Sequence, residues 1–553
     1  MKLNRPHGAK AALCVGLLYG GMLCLAPAVW AQDATAPKHI GVPQGWSDRS
    51  IVFSLDGLAK YPNLLDQEPR IRHQVMQRFR ALNPELFRGE GERGTSAMNP
   101  APHRDWNVNF VRGRVGDNMY PAKYSFNPGA PPDCTNDYVV FGLNVAGANG
   151  KQANLIAFNN LYSGVGGICG AAPTVLFAYN VTTQSGGKVN LSPVISLDGT
   201  KIAFVESAAG LAVFHVLTWT ALQGGITSAV TPTPSQMSSL TFSTTSTSTT
   251  SSPWVDYTND VAYMGADGGL MYRINGVFNS TPALAGGNWP VTVSGGHHLS
   301  PPVLDSMLNL LIVGSANGNL YQVGTVGAVN GVLTGVTPVG ALGKTSSGVT
   351  APPIVDITNG TTFVVDANDG TSAVLDEFNT FSFGLMAKSR IGLGSSTKIA
   401  LSIPQPAFDN NYYNDPSTGQ IRLCGTGAAD TTPWQYAFGF VGPTMNTSAV
   451  FSQQLLPSTA AVCTNWTEFF NPNIGLGTDF FFFGLTQDCT GAGTSGCVVA
   501  ATTEALPVIT ANVAGGPSGI VVDNYSLLGQ ASSIYLSSET GSTGYKFTQI
   551  GLQ

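Results

Sequence analysis

The sequence predicts an all-β chain closed into a β-propeller. Three observations predict it: a phrase that returns about every fifty residues, glycine-bearing hairpin turns at matching places between the returns, and a composition poor in charge and in strong helix formers. Charged residues make up 10% of the 553, against about 25% in ordinary globular domains. Glycine numbers 66, and Ser, Thr and Val are plentiful, which suits short strands broken by turns.

The phrase is a Ser or Ala near a Pro, two apolar positions, then Asp. It reads Ser252-Pro253-Trp254-Val255-Asp256, then Pro302 to Asp305, Pro353 to Asp356 and Pro406 to Asp409, with a looser copy from Ser192 to Asp198 and a last one from Pro517 to Asp523. The steps from Asp198 to Asp409 are 58, 49, 51 and 53 residues, and the next is 114, so a degenerate unit belongs inside it near Thr478-Asp479 and Phe480 to Phe483. Pro121 to Phe126, followed by Asp137 to Val140, supplies an early copy. Within the units Gly265 to Tyr272 parallels Gly314 to Tyr321, and Asp-Gly or Asn-Gly between alternating apolar residues marks a hairpin. Eight blades are expected, beginning near Pro121, Pro193, Pro253, Pro302, Pro353, Pro406, Asn471 and Pro517; seven is the alternative. The last unit shows three strands, so its outer strand is expected from the chain near Asp105 to Val111, which would close the ring.

Lys2, Arg5 and Lys10 precede an apolar stretch from Ala11 to Ala28 and then Val29-Trp30-Ala31, the pattern of a secretory signal peptide cut after Ala31. Gly16, Gly20, Gly21 and Pro27 interrupt that stretch and make it a poor membrane span. The expected organisation is a signal peptide over 1–31, an N-terminal arm over 32–104 and the propeller over 105–553, in a secreted or periplasmic monomer with no spanning segment after cleavage. Within the arm, Pro69 to Leu82 reads as an amphipathic helix. Ile71, Val75, Phe79 and Leu82 form one stripe, and Arg70, Arg72, Arg78 and Arg80 lie elsewhere.

Residues 32–104 hold ten Lys/Arg and eight Asp/Glu, whereas the rest holds thirteen against twenty-four, a net of −11. So acidic a body has no phosphate-binding footprint, and nucleic acid is not an expected partner. Six cysteines follow the signal, and their order pairs Cys134 with Cys169, Cys424 with Cys463 and Cys489 with Cys497, each clipping a local loop. A zinc site is the competing reading, but no Cys-x-x-Cys occurs and no His lies near them.

Asp105-Trp106, Tyr120 to Phe126, Cys134 to Asp137, Ala157 to Ser163 and Phe214 to Trp219 resemble segments of secreted bacterial propellers with pyrroloquinoline-quinone-like and YVTN-type blade repeats. The resemblance covers most of residues 105–553. It implies the fold and an exported life, and it implies no reaction. The Trp-terminated blade motif and adjacent Cys-Cys pair of quinone-dependent alcohol dehydrogenases are absent from this sequence.

For chemistry, the His297-His298 pair is the most suggestive feature, placed just before the Ser300-Pro301-Pro302 strand start. Neighbouring residues on a strand face opposite ways, so one His would act as ligand or base rather than both on one metal. Trp254 and Trp289 are expected on loops near that pair, facing a ligand. His215, inside an apolar strand, reads as structural. The recurring Asp256, Asp305, Asp356 and Asp409 could be paired carboxylates for glycoside hydrolysis, but a residue present in every blade is a turn device rather than a catalyst. Asp366 to Gly370 and Asp409 to Asp415 resemble calcium loops without the alternate-ligand spacing and distant Glu, which leaves Ca2+ as a candidate and no catalytic, cofactor or metal residue assigned. The expected function is a binding or interaction scaffold for carbohydrate or protein. The alternative is a carbohydrate-active enzyme or divergent quinoprotein working at the channel mouth.

Overall fold

The computed structural model describes residues 41–549 apart from 55–58, 64, 66–67, 69, 73, 76–101, 127–131, 334–347, 368, 370–371, 393–403, 428–430, 472–477, 490–494, 503–507, 524–529 and 531–532. Its strands form eight sheets, each with a body of consecutive antiparallel strands, and three of these sheets take one further strand from earlier in the chain. The protein is an eight-bladed β-propeller. The innermost strands begin with Ala122–Ser125, Val194–Ile195, Trp254–Asp256, Val303–Asp305, Ile354–Asp356, Ala407–Phe408, Thr467–Asn471 and Val521–Asp523, and blades 1 to 8 are numbered in that order. Six of these starts follow a Pro, whose missing N–H costs little at the edge of a strand.

The recurring phrase has a physical reading. A hydroxyl three residues before the inner strand accepts the N–H that ends the second strand: Ser251 from Gly265 at 2.7 Å, Ser300 from Gly314 at 2.9 Å, Thr464 from Gly484 at 2.8 Å and Ser518 from Ser537 at 2.9 Å. Gly265 and Gly314 are needed because the chain entering the next blade crosses directly over them. A Cβ at Gly265 would lie 2.6 Å from the Leu299 Cβ, and one at Gly314 would lie 2.3 Å from Val349 Cγ1. At the far end, Asp256, Asp305 and Asp356 each accept two backbone N–H groups of the following turn at 2.9–3.1 Å. The second hairpins differ from the expected two-residue mirror-image turn. Only Gly269 and Gly318 take positive φ there, at 82° each, so Asp267-Gly268 and Ala316-Asn317 form an ordinary turn and the glycine after them supplies the left-handed residue.

Each blade hides its faces against its neighbours. Tyr124, Tyr138 and Phe177 of blade 1 pack with Phe204 and Leu217 of blade 2, and Val205 and Phe214 pack with Met264 and Ile274 of blade 3. Phe363 of blade 5 meets Phe408 and Phe440 of blade 6, Trp466 lies flat on Phe483 at 4.0 Å, and Phe480 and Phe482 of blade 7 meet Ile534 and Phe547 of blade 8. The ring closes where Trp106 and Tyr535 of blade 8 pack with Phe158 and Phe141 of blade 1.

Closure uses a strand from the other end of the chain. Pro102–Asn109 is the outer strand of blade 8 and pairs antiparallel with Thr543–Gln549, as the three-stranded last repeat predicts. Two ion pairs are buried at this seam: Lys546 Nζ to Asp105 Oδ2 at 2.5 Å and Lys123 Nζ to Asp523 Oδ2 at 2.7 Å, all four side chains at most 1% exposed. Tyr162 donates to the pair's surroundings, reaching Asp137 Oδ2 at 2.9 Å and Asp523 Oδ2 at 3.1 Å. Desolvation pulls the Lys546 pKa below its ordinary value, and Asp105 opposes that pull.

The disulfides join Cys134 to Cys169, Cys424 to Cys463 and Cys489 to Cys497, with Cα–Cα distances of 5.4, 6.2 and 5.9 Å. The segment expected to be a signal peptide lies outside the described residues, as does most of the expected helix over 69–82. Its described part, around Arg70 to Val75, is helical, with Ile71 buried as the stripe requires. Arg70 departs from the expectation, for it is 2% exposed. Among the described residues no helix is long and apolar enough to cross a membrane.

Asp105→Ala leaves the Lys546 ammonium buried without its carboxylate and is expected to cost about 3–5 kcal/mol. Denaturant unfolding of Asp105→Ala and of Asp105→Leu/Lys546→Met measures it, with the double variant recovering much of the loss because no charge is left unpaired.

Candidate functional site

Eight inner strands enclose an axial channel that their own side chains do not fill, and this chain fills it with its N-terminal segment. Val42–Gln44 adds antiparallel to Ala122–Ser125 of blade 1, and Ile51–Val52 adds parallel to Ile354–Asp356 of blade 5, on the opposite side of the ring. Between them Trp46 is driven into the channel, where its ring meets Trp254 edge-on at 5.6 Å. Arg70 locks this plug. Its guanidinium lies 4.0 Å over the Trp254 ring, pairs with Glu68 Oε1 at 2.6 Å, and donates to Ser47 Oγ and the Val255 carbonyl, each at 3.0 Å. Gln74 Nε2 donates to the carbonyls of Asp48 and Ile51 at 2.7 Å, and Gln405 Nε2 reaches Ser50 Oγ at 3.0 Å.

The clefts that the plug leaves among the described residues include two of about 60 Å³ or more. One, of about 100 Å³, opens at the face where inner strands begin; Ser192, Ser252, Pro301, Pro352, Pro404 and Asn465 ring it, with Trp46 and Tyr120 as its floor. The other, of about 60 Å³, lies between the plug and blades 6 to 8, lined by Gln44, Asp48, Arg49, Gln74 and Glu468 among others. Gln44 is 3% exposed and its side-chain amide has no hydrogen-bond partner among the described residues. Burial pushes the Asp48 carboxyl up to about 6, against the pull of Arg70 and of the Gly45 N–H that it accepts at 2.5 Å. The Arg49 guanidinium lies 4.9 Å above the Tyr120 ring.

The residues singled out by sequence do not converge on these clefts. His298 pairs with Asp267 at 3.0 Å, and Asp267 also takes the Thr249 N–H at 3.0 Å. The bond from Asp267 raises the His298 pKa above its ordinary value despite partial burial. His297 contributes its carbonyl to Ser294 Oγ at 3.0 Å. Trp254 sits in the inner strand of blade 3 at 0% exposure rather than on a loop, and Trp289, on the loop before Val291–Thr292, packs on Tyr263 at 5.8 Å with 7% exposed, so both are buried. Asp409 to Asp415 folds as the short helix Asn410–Asn414: Asp409 caps it by accepting the N–H of Tyr412, and Asp415 caps the turn after it. Of the other calcium-like loop, Asp369 pairs with Lys388 Nζ at 2.9 Å. No group of three or more His, Cys, Asp or Glu among the described residues is arranged to hold a metal ion. The residues that sequence reasoning missed are Trp46 and Arg70. Their only signal is a Trp and an Arg beside short apolar runs, outside any repeat.

No protein-family model matches the chain, and no curated protein sequence matches it. Solved structures similar to it include BamB from Moraxella catarrhalis, at 13% identity and a TM-score of 0.42, covering 81% of this chain and 97% of that one. The Dos1 propeller matches at 9% identity and 0.46, covering 82% and 97%, and Sqt1 of Saccharomyces cerevisiae at 9% and 0.48, covering 80% and 98%. The blade count rests on the strand pairing described above.

Burial also pushes Asp305 and Asp409 to about 6 and Asp376, Glu377 and Glu539 to about 7. Each holds its proton in the folded chain at a pH where the unfolded chain has released it. Stability therefore falls as pH rises from about 4 through those values, by about 1.4 kcal/mol per pH unit for each such group. His298, raised, adds in the same direction as pH passes its folded value. Asp198, Glu206 and Asp267, lowered by their hydrogen bonds, lose their contribution only at more acid pH. The heat-unfolding midpoint is expected to be higher at pH 5 than at pH 8, and calorimetry across that range checks it.

Proposed function

We propose that the protein is an exported binding or interaction scaffold whose working surface is the propeller face where inner strands begin, with carbohydrate or protein as the partner. The observation that carries this reading is the plug. Because Trp46 and Arg70 occupy the axis, the ring offers its faces rather than a through-channel, and the larger cleft is built from strand-entry residues of at least six blades. Small hydroxyls and prolines held rigidly by backbone geometry make a preorganised rim, which lowers the entropy lost on binding. Three disulfides support a place outside the cytoplasmic membrane, where such bonds persist, together with the signal-like N-terminus.

A glycan-array screen and a cross-linking screen of the purified chain, each with and without calcium, test the reading. A bound partner should be lost in Ala351→Trp, which fills the larger cleft from its partly exposed rim, while the unfolding midpoint stays unchanged. Binding that survives Ala351→Trp would move the working surface elsewhere.

A further inference from the structure

Blade 2 sets three polar side chains in line from three adjacent strands: Glu206 on Lys201–Ala208, His215 on Leu211–Thr218 and Ser239 on Met237–Ser243. His215 lies directly opposite Ser239, and Glu206 lies opposite Val213, two residues from His215, so all three share one face of the sheet. His215 Nε2 is 2.9 Å from Glu206 Oε2, and its Nδ1 is 2.9 Å from Ser239 Oγ. Glu206 and His215 are fully buried, whereas Ser239 is exposed. The Phe204 ring stacks on the imidazole at 5.1 Å and fixes its plane.

The proton positions follow from the donors around Glu206. Its Oε1 accepts the backbone N–H groups of Thr183 and Gln184, each at 2.9 Å, and its Oε2 accepts the Thr183 hydroxyl at 2.5 Å. Burial alone would raise its pKa; the bonds from His215, Thr183 and Gln184 outweigh it and hold the carboxyl below its ordinary value. A carboxylate only accepts, so Nε2 carries the imidazole proton and Nδ1 turns its lone pair to the Ser239 hydroxyl. A histidine present only for packing needs no such polarised, solvent-facing partner.

We propose that Ser239 is a nucleophile with His215 as its general base and Glu206 as the positioning residue, and that the site hydrolyses esters of small acyl groups. Ser239 Oγ forms a bond to the ester carbonyl carbon as its proton passes to His215 Nδ1. The carbon–oxygen bond to the alcohol then breaks, and the departing oxygen takes that proton. Water, deprotonated in turn by His215, attacks the acyl-serine, releases the carboxylic acid and restores Ser239; ester and water become acid and alcohol. The exposed outer strand suits a small acyl group carried on a larger alcohol that stays in solvent. The site lies apart from both axial clefts, so its success or failure is independent of the scaffold reading.

The test is labelling of the full chain with an alkyl fluorophosphonate, in which Ser239 Oγ displaces fluoride. One adduct per chain, mapped to Ser239 by peptide mass, is expected, and Ser239→Ala should abolish it without moving the unfolding midpoint. Labelling should rise with pH along a single ionisation, and Glu206→Gln, which no longer fixes the tautomer, should slow it ~10-fold or more. If Glu206→Gln does not fold, the wild-type adduct and its pH profile decide. No adduct at Ser239, a rate without that ionisation, or an equally fast rate in folded Glu206→Gln overturns the proposal.

Discussion

The structure depends on closure of the ring. A blade is a sheet with two apolar faces, and seven of the eight contacts between blades are made by consecutive stretches of chain. The eighth joins the last blade to the first, and without it two apolar faces would stay in water. The chain makes that contact with Pro102–Asn109, which commits residues separated by more than four hundred positions to one sheet. The Lys546–Asp105 and Lys123–Asp523 pairs lie at the same seam, so losing the strand would expose a hydrophobic face and also strand buried charges. The price is kinetic: this pairing is about as non-local as a contact within the chain can be, and such contacts form late.

An eight-bladed ring has a wider axis than its inner strands can fill, and filling it with chain from before the first blade has two consequences. Val42–Gln44 and Ile51–Val52 pair with blades on opposite sides of the ring, so the plug ties the ring across its diameter. The plug also decides what the axis can bind. Trp46 borders the rim cleft, and a polar cleft lies between the plug and blades 6 to 8. The chemistry of the rim is therefore that of hydroxyls already engaged in holding strands together, such as Ser252, which accepts the Ser192 N–H at 3.1 Å.

The fold was legible because the same physical problem is solved in most blades with the same residues. Pro at the strand start, a hydroxyl before it, Gly where the next blade crosses and Asp at the turn each recur, and recurrence is visible in one sequence. Even the degenerate seventh blade betrayed itself by the length of its gap and by Phe480 to Phe483. The plug was illegible for the converse reason. Trp46, Arg70 and Gln44 occur once, their partners are residues distant in sequence, and nothing local marks Arg70 as interior when an arginine on a short helix ordinarily faces solvent. Trp254 was misplaced by the same blindness: its position in the phrase was read, but the guanidinium that covers it was not. The Glu206, His215 and Ser239 alignment needs strand register, which composition and spacing do not provide.

The scarcity of charge acquires a different meaning once burial is known. In most domains Lys, Asp and Glu lie on the surface. Here Lys123, Lys546, Arg70, Glu206, Asp356, Asp376, Glu377 and Asp523 are all buried at 2% exposure or less. Where two of them meet as ions, as Lys123 and Asp523 do, the pair adds little net stability over apolar side chains of similar volume, because desolvation offsets its attraction. What they do is penalise wrong partners. Eight sheets of similar size with similar apolar faces could associate out of order or close with one blade omitted, and apolar contacts alone would discriminate weakly among those arrangements. An Asp523 of blade 8 that meets no Lys123 of blade 1 makes a wrong closure costly by leaving a bare charge inside. Within blade 2, the Glu206 carboxylate is held in the interior by donors from its own sheet and from the loop that enters the blade, so its position is fixed before any ligand arrives. In a repeat protein the departures from the repeat are where order of assembly and chemistry both reside.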